Sequence, residues 1–124
     1  NIFVAEFIGS PKMNIIKINK KNIQNNKIIN FFNNKIKFEN FDFEDEIYLG
    51  IRPEDINVND VDEIQIDVRI DLIENLGFEK IVHTSISNNE IKIKTSKIIS
   101  ENFTKISFSK DKIYLFDRNK NRIR

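Results

Sequence analysis

Between Ile64 and Leu72 apolar and polar side chains alternate without a break, with Ile64, Ile66, Val68, Ile70 and Leu72 on one side and Gln65, Asp67, Arg69 and Asp71 on the other. Successive side chains of a strand point to opposite faces, so this run makes a strand with one dry face and one wet face. A helix would scatter the same apolar residues around its axis. Shorter runs of the same period recur at Ile16 and Ile18, at Ile36 and Phe38, and at Ile47, Leu49 and Ile51. Others follow over residues 80–87, at Ile91 and Ile93, at Ile106 and Phe108, and at Ile113 and Leu115. Turn-forming residues separate these runs: Lys20-Lys21-Asn22, Asn33-Asn34, Asn40 to Glu46, Arg52-Pro53-Glu54, Asn75 to Gly77, Asn88-Asn89 and Ser109-Lys110-Asp111. About eight strands at roughly ten-residue intervals predict a small all-β barrel or sandwich.

The apolar composition agrees. Ile (25) and Phe (11) dominate, against 4 Leu and a single Ala. Branched and aromatic side chains fit a pleated, half-buried surface, whereas a helical domain draws on Ala and Leu. Only residues 2–8 read as helix, since Phe3 and Phe7, and Val4 and Ile8, stand four apart before Gly9-Ser10-Pro11 ends the segment. With 124 residues, no internal repeat and no long linker, the chain predicts one domain. It starts at Asn1 without an initiator Met or a signal peptide, which reads as a processed or excised piece of something longer. The 18 Asn and 15 Lys have the look of an AT-rich coding bias, so no single Asn or Lys is given weight as a functional signal.

Net charge is only +1, yet it is arranged in blocks. Residues 1–38 are basic, 39–79 strongly acidic and 80–124 basic again. A nucleic-acid binder usually carries a basic total as well as a basic stripe, so the blocks are expected to neutralise one another on folding. No cysteine is present, which excludes disulfides, thiolate metal sites and a cysteine nucleophile. No run of 18 apolar residues exists to span a membrane as a helix. Three glycines do not build a phosphate-cradling loop. The lone His83 has no catalytic or metal partner at a recognisable spacing. The acidic stretches Asp42 to Glu46 and Asp60 to Glu63 lack the glycine and closing glutamate of a calcium loop and read as solvated turns. Phe38 and Phe108 alternate with charge and read as core, not as a base-stacking platform.

Four segments taken in order carry a family likeness: FVAEFIGSPKMN at 3–14, YLGIRPEDI at 48–56, IENLGFEKIVH at 73–83 and IYLFDRNKNRI at 113–123. This pattern resembles the C-terminal region of the ATPase subunits of maltose-type sugar ABC importers, including the glycerol-phosphate and multiple-sugar relatives. The resemblance implies a transport-associated OB domain: an all-β, OB-type small barrel over 13–124, preceded by the end of the nucleotide-binding domain and its exit turn at 1–12. It also implies a non-catalytic regulatory and dimerisation role. ATP and Mg²⁺ would then belong to a missing domain, and no cofactor, metal or catalytic residue is expected in this piece. Partners would be a second copy of the subunit, membrane subunits reached through the missing domain, and a regulatory protein, without nucleic acid. The intact subunit would sit on the cytoplasmic face of the membrane.

Within the matching segments Gly50 permits a close backbone approach, Pro53 fixes the next turn, and Arg52 offers a planar fork to a carboxylate near Glu54 or on a facing subunit. Gly77 supplies a positive φ between two strands, and Glu74 is expected to be solvated. An OB-type nucleic-acid or oligosaccharide binder is the competing expectation, and it requires a basic, aromatic-bearing face that survives folding.

Overall fold

The computed structural model describes residues 11–43 and 45–123. The expected helix over residues 2–8 lies outside them. Twelve strands are found among the described residues: β1 (Asn14–Ile18), β2 (Ile23–Gln24), β3 (Ile28–Phe31), β4 (Asn34–Lys37), β5 (Ile47–Ile51), β6 (Asn57–Val58), β7 (Ile64–Asn75), β8 (Lys80–Ile86), β9 (Asn89–Thr95), β10 (Phe103–Phe108), β11 (Tyr114–Phe116) and β12 (Arg122–Ile123). The periodic segments are all strands. The extra ones include β2, β6 and β12, two residues each and too short to show a period.

Three antiparallel sheets result, in the orders β1-β5-β11-β12, β6-β10-β7-β8-β9 and β2-β3-β4. They curl around one core as an OB-like small barrel. Ile16 and Ile18 of β1, Ile29 and Phe31 of β3, Leu49 and Ile51 of β5, Val82 of β8 and Ile106 and Phe108 of β10 all enter it. The inward residues of β7 alternate as the sequence dictates, and Ile64, Ile66 and Val68 are buried.

Two asparagine side chains stitch the sheets together. Asn14 on β1 donates from Nδ2 to the carbonyls of Ile51 (3.1 Å) and Lys92 (2.9 Å) and accepts from the Lys92 N–H (2.8 Å). Its carboxamide thus does for β9 what a neighbouring backbone would do, across a seam where β1 and β9 share no ladder. Asn34 repeats the device on β4: Nδ2 donates to the Gln65 carbonyl (2.8 Å) while Oδ1 accepts from the Gln65 N–H (3.3 Å), joining the third sheet to β7.

The alternation of β7 breaks at Ile70. Pairing with β8 shifts register between Ile70 and Leu72, leaving Asp71 as the extra residue of a bulge. The last β10 partner of β7 is Arg69, opposite Phe103. Beyond this point β7 has lost β10 and pairs with β8 alone, while β9 still flanks β8, and Leu72, expected in the core, is 57% exposed. A bulge re-aims every side chain that follows it.

Replacing Asn14 with Ala strips the Lys92 amide and carbonyl of a partner in a buried place. The expected loss is about 2–4 kcal/mol of unfolding free energy, read from urea denaturation against wild type.

Candidate interaction surfaces

Four of the singled-out residues gather at the corner after β5. Gly50 sits where a Cβ would meet Met13 Sδ at 2.6 Å and Phe116 Cε2 at 3.1 Å. Met13 and Phe116 form a second, smaller apolar cluster with Ile15, Tyr48 and Tyr114 on the outer face of the first sheet. Pro53 opens a 3₁₀ turn, Pro53–Asp55, and is buried as that turn packs on β9. Among the described residues Arg52 is not ion-paired with Glu54 or another carboxylate. Its guanidinium lies over the Tyr114 ring, 5.4 Å from the centroid, and Arg122 lies over the same ring at 4.6 Å. A hydrogen bond with the Tyr114 side chain holds the Arg52 guanidinium above its ordinary range, burial opposes this, and Glu54 and Asp55 add to the rise. Glu54 is exposed and lines a shallow groove with Glu79 and Lys94, so the corner adjoins the loop end of the β7–β8 hairpin.

That hairpin places Glu74 and Gly77. Leu76 N–H donates to the Glu79 carbonyl at 2.8 Å to close the loop, and Gly77 within it has φ +94°. Leu76 is 62% and Phe78 96% exposed. With Leu72 they set three large apolar side chains on one projecting hairpin. Glu74 is not simply solvated: its carboxylate hydrogen-bonds His83 Nε2, while Glu90 Oε1 lies 3.4 Å from Nδ1. The three residues come from three strands, a grouping that spacing along the chain does not reveal. At the bulge, the Ser85 hydroxyl and then Arg69, 2.8 Å away, hold the Asp71 carboxyl below the usual carboxylate value, and His83 contributes in the same direction.

The charge blocks do meet on folding. Lys17, Lys27 and Lys37 pair with Glu46, Asp42 and Glu39, and Lys94, Lys97, Lys105 and Arg118 pair with Glu79, Asp60, Asp67 and Asp45. One basic place is left over. A groove of about 850 Å³ opens between β1, the Lys20–Asn22 turn and the β3–β4 hairpin. Lys17, Lys21 and Lys35 line it, and among the described residues no acidic side chain does. Asn30 Oδ1 is buried there without a hydrogen-bond partner, a state that costs about 1–3 kcal/mol. Phe32, beside it, holds φ +44°, which bulky residues rarely adopt.

Phe38 and Phe108, expected in the core, are buried, as are Phe31, Phe43 and Phe116. Among the described residues no helix is long and apolar enough to cross a membrane.

Sequence similarity over nearly the whole chain places it with the C-terminal part of sugar-type ABC importer ATP-binding subunits. It is 32% identical to the uncharacterized ABC transporter ATP-binding protein YcjV of Escherichia coli (strain CFT073), over 94% of this chain and 35% of that protein. It is 31% identical to the maltose/maltodextrin import ATP-binding protein MalK of Aliivibrio fischeri, over 73% of this chain and 26% of that protein. The xylose/arabinose import ATP-binding protein XacJ of Haloferax volcanii is 26% identical over 94% of this chain and 35% of its own length. The chain therefore spans about a third of the length of the curated relatives it matches. No protein-family model matches it.

Two outcomes follow from the geometry. Gly50→Ala forces Met13 and Phe116 aside and is expected to lower stability by about 1–3 kcal/mol, read from thermal or urea unfolding. Because the folded Asp71 pKa is depressed, its contribution to stability is present above the unfolded value and is lost as pH falls through the folded one. Ser85→Ala is expected to move the Asp71 titration to higher pH in a carboxyl NMR titration.

Proposed function

We propose that this chain is the regulatory and dimerisation domain of the ATP-binding subunit of an ABC importer for sugars or similar solutes. Residues 1–12 then close the ATP-binding part and residues 13–124 form the OB-type domain. It performs no catalysis itself; ATP and Mg²⁺ are handled elsewhere in the subunit, which engages membrane subunits through its ATP-binding part on the cytoplasmic face. The names of the relatives, which import maltose or maltodextrin and xylose or arabinose, support the solute class.

The observation that carries the assembly reading is the β7–β8 hairpin, which runs past β10 and exposes Leu72, Leu76 and Phe78. Exposed apolar side chains grouped on one projection mark a surface that is covered in use. Each contributes roughly 1.5–3 kcal/mol when fully buried, enough for a contact of modest strength between two copies. Such a contact serves the cycle by effective concentration: two ATP-binding parts held close by their neighbours meet in a nearly intramolecular step.

Sedimentation velocity tests this on the full chain. Wild type is expected to dimerise, and Leu76→Ser/Phe78→Ser is expected to be monomeric with an unchanged melting temperature. A monomeric wild type, or a double variant that still dimerises, overturns the hairpin contact.

A further inference from the structure

We propose that the groove between β1 and the β3–β4 hairpin is a binding site for a phosphorylated polyol, of the sugar-phosphate type. This inference goes beyond the assembly reading and uses a different part of the surface. Lys17, Lys27 and Lys37 are tied to carboxylates, whereas Lys21 and Lys35, which both line the groove, have no ion-pair partner among the described residues. Two ammonium groups facing a concave surface without a carboxylate attract an anion, and lysine meets phosphate as a point charge.

Charge alone does not describe the site. Asn30 Oδ1, closed off from solvent in the groove wall, is an acceptor in want of a donor, and a ligand reaches it by displacing the side chains that cover it. A bare anion supplies only acceptors, whereas a ligand hydroxyl supplies the missing hydrogen. Asn33 at the hairpin turn also lines the groove and makes no side-chain hydrogen bond among the described residues, so its carboxamide has both donors and an acceptor for further hydroxyls. The Phe32 ring gives an apolar patch for the C–H face of such a ligand. Its left-handed backbone is strain of the kind that gathers at binding sites. The volume of about 850 Å³ falls within the roughly 300–1,000 Å³ of small-molecule sites.

Titration calorimetry on the full chain decides it, with glucose 6-phosphate as the probe and glucose and inorganic phosphate as comparisons, at an ionic strength of about 0.15 M. Saturable binding of glucose 6-phosphate is expected, weakened about tenfold or more by Lys21→Ala/Lys35→Ala. Both comparison ligands are expected to bind at least about tenfold more weakly. Asn30→Ala is expected to weaken glucose 6-phosphate while leaving inorganic phosphate unaffected. No saturable heat, or an affinity untouched by the double lysine variant, overturns the site. Equal affinity for inorganic phosphate overturns the polyol half. Melting curves confirm that each variant folds. Repeating the titration on Leu76→Ser/Phe78→Ser separates this site from the hairpin contact, since binding is expected to be the same whether or not the chain dimerises.

Discussion

The barrel is held closed by a side chain acting as backbone. β1 and β9 belong to different sheets and share no ladder, so without Asn14 the Lys92 amide and carbonyl would face a seam instead of a partner. A carboxamide has the same donor and acceptor as a peptide group, and at 7% exposure it works where water does not compete. Asn34 applies the same chemistry to Gln65 at the other seam. Three small sheets thereby enclose one core, and the Ile and Phe side chains that fill it have no way out to solvent.

The bulge at Asp71 governs the outer surface in the same way. Up to Arg69, β7 pairs with β10 and keeps a dry face. From Arg69 onward it pairs with β8 instead, which β9 flanks along its whole length, and past the bulge Ile70 is only half-buried while Leu72 stands in solvent. Side chains close to the bulge tie these three strands together: Arg69 and Ser85 act on Asp71, and the carboxylates of Glu74 and Glu90 lie on the two nitrogens of His83.

The strands were legible because one face of each is dry, and the period of two survives in the residues. The turns were read with a slip. Asn33-Asn34 and Asn88-Asn89 looked like turn centres, but the positive-φ pairs are Phe32-Asn33 and Ser87-Asn88. Asn34 is drawn into its strand by bonds to Gln65, and Asn89 Nδ2 is satisfied by the Ser87 carbonyl. Those bonds depend on partners that local propensity does not see. Discounting asparagine as coding bias hid Asn14 and Asn34 altogether. For Arg52 the sequence points to a carboxylate near Glu54 or on a facing subunit; the Tyr114 ring it covers within the chain arrives from β11, more than sixty positions later, beyond the reach of local pattern. The grouping of His83 with Glu74 and Glu90 escaped for the same reason.

Asparagine at the turns has a consequence for the unfolded chain. Asn25, Asn26, Asn33, Asn59 and Asn88 take positive φ, and Gly77 is the one glycine recorded doing so among the described residues. Glycine would adopt these angles freely, but it would also wander most when unfolded and lose the most freedom on folding. A side chain at each bend narrows the denatured ensemble, at the cost of mild strain in the native one. The hairpins of this domain are thus partly specified before any core exists, and its turns limit disorder in the denatured state as well as directing the chain in the native fold.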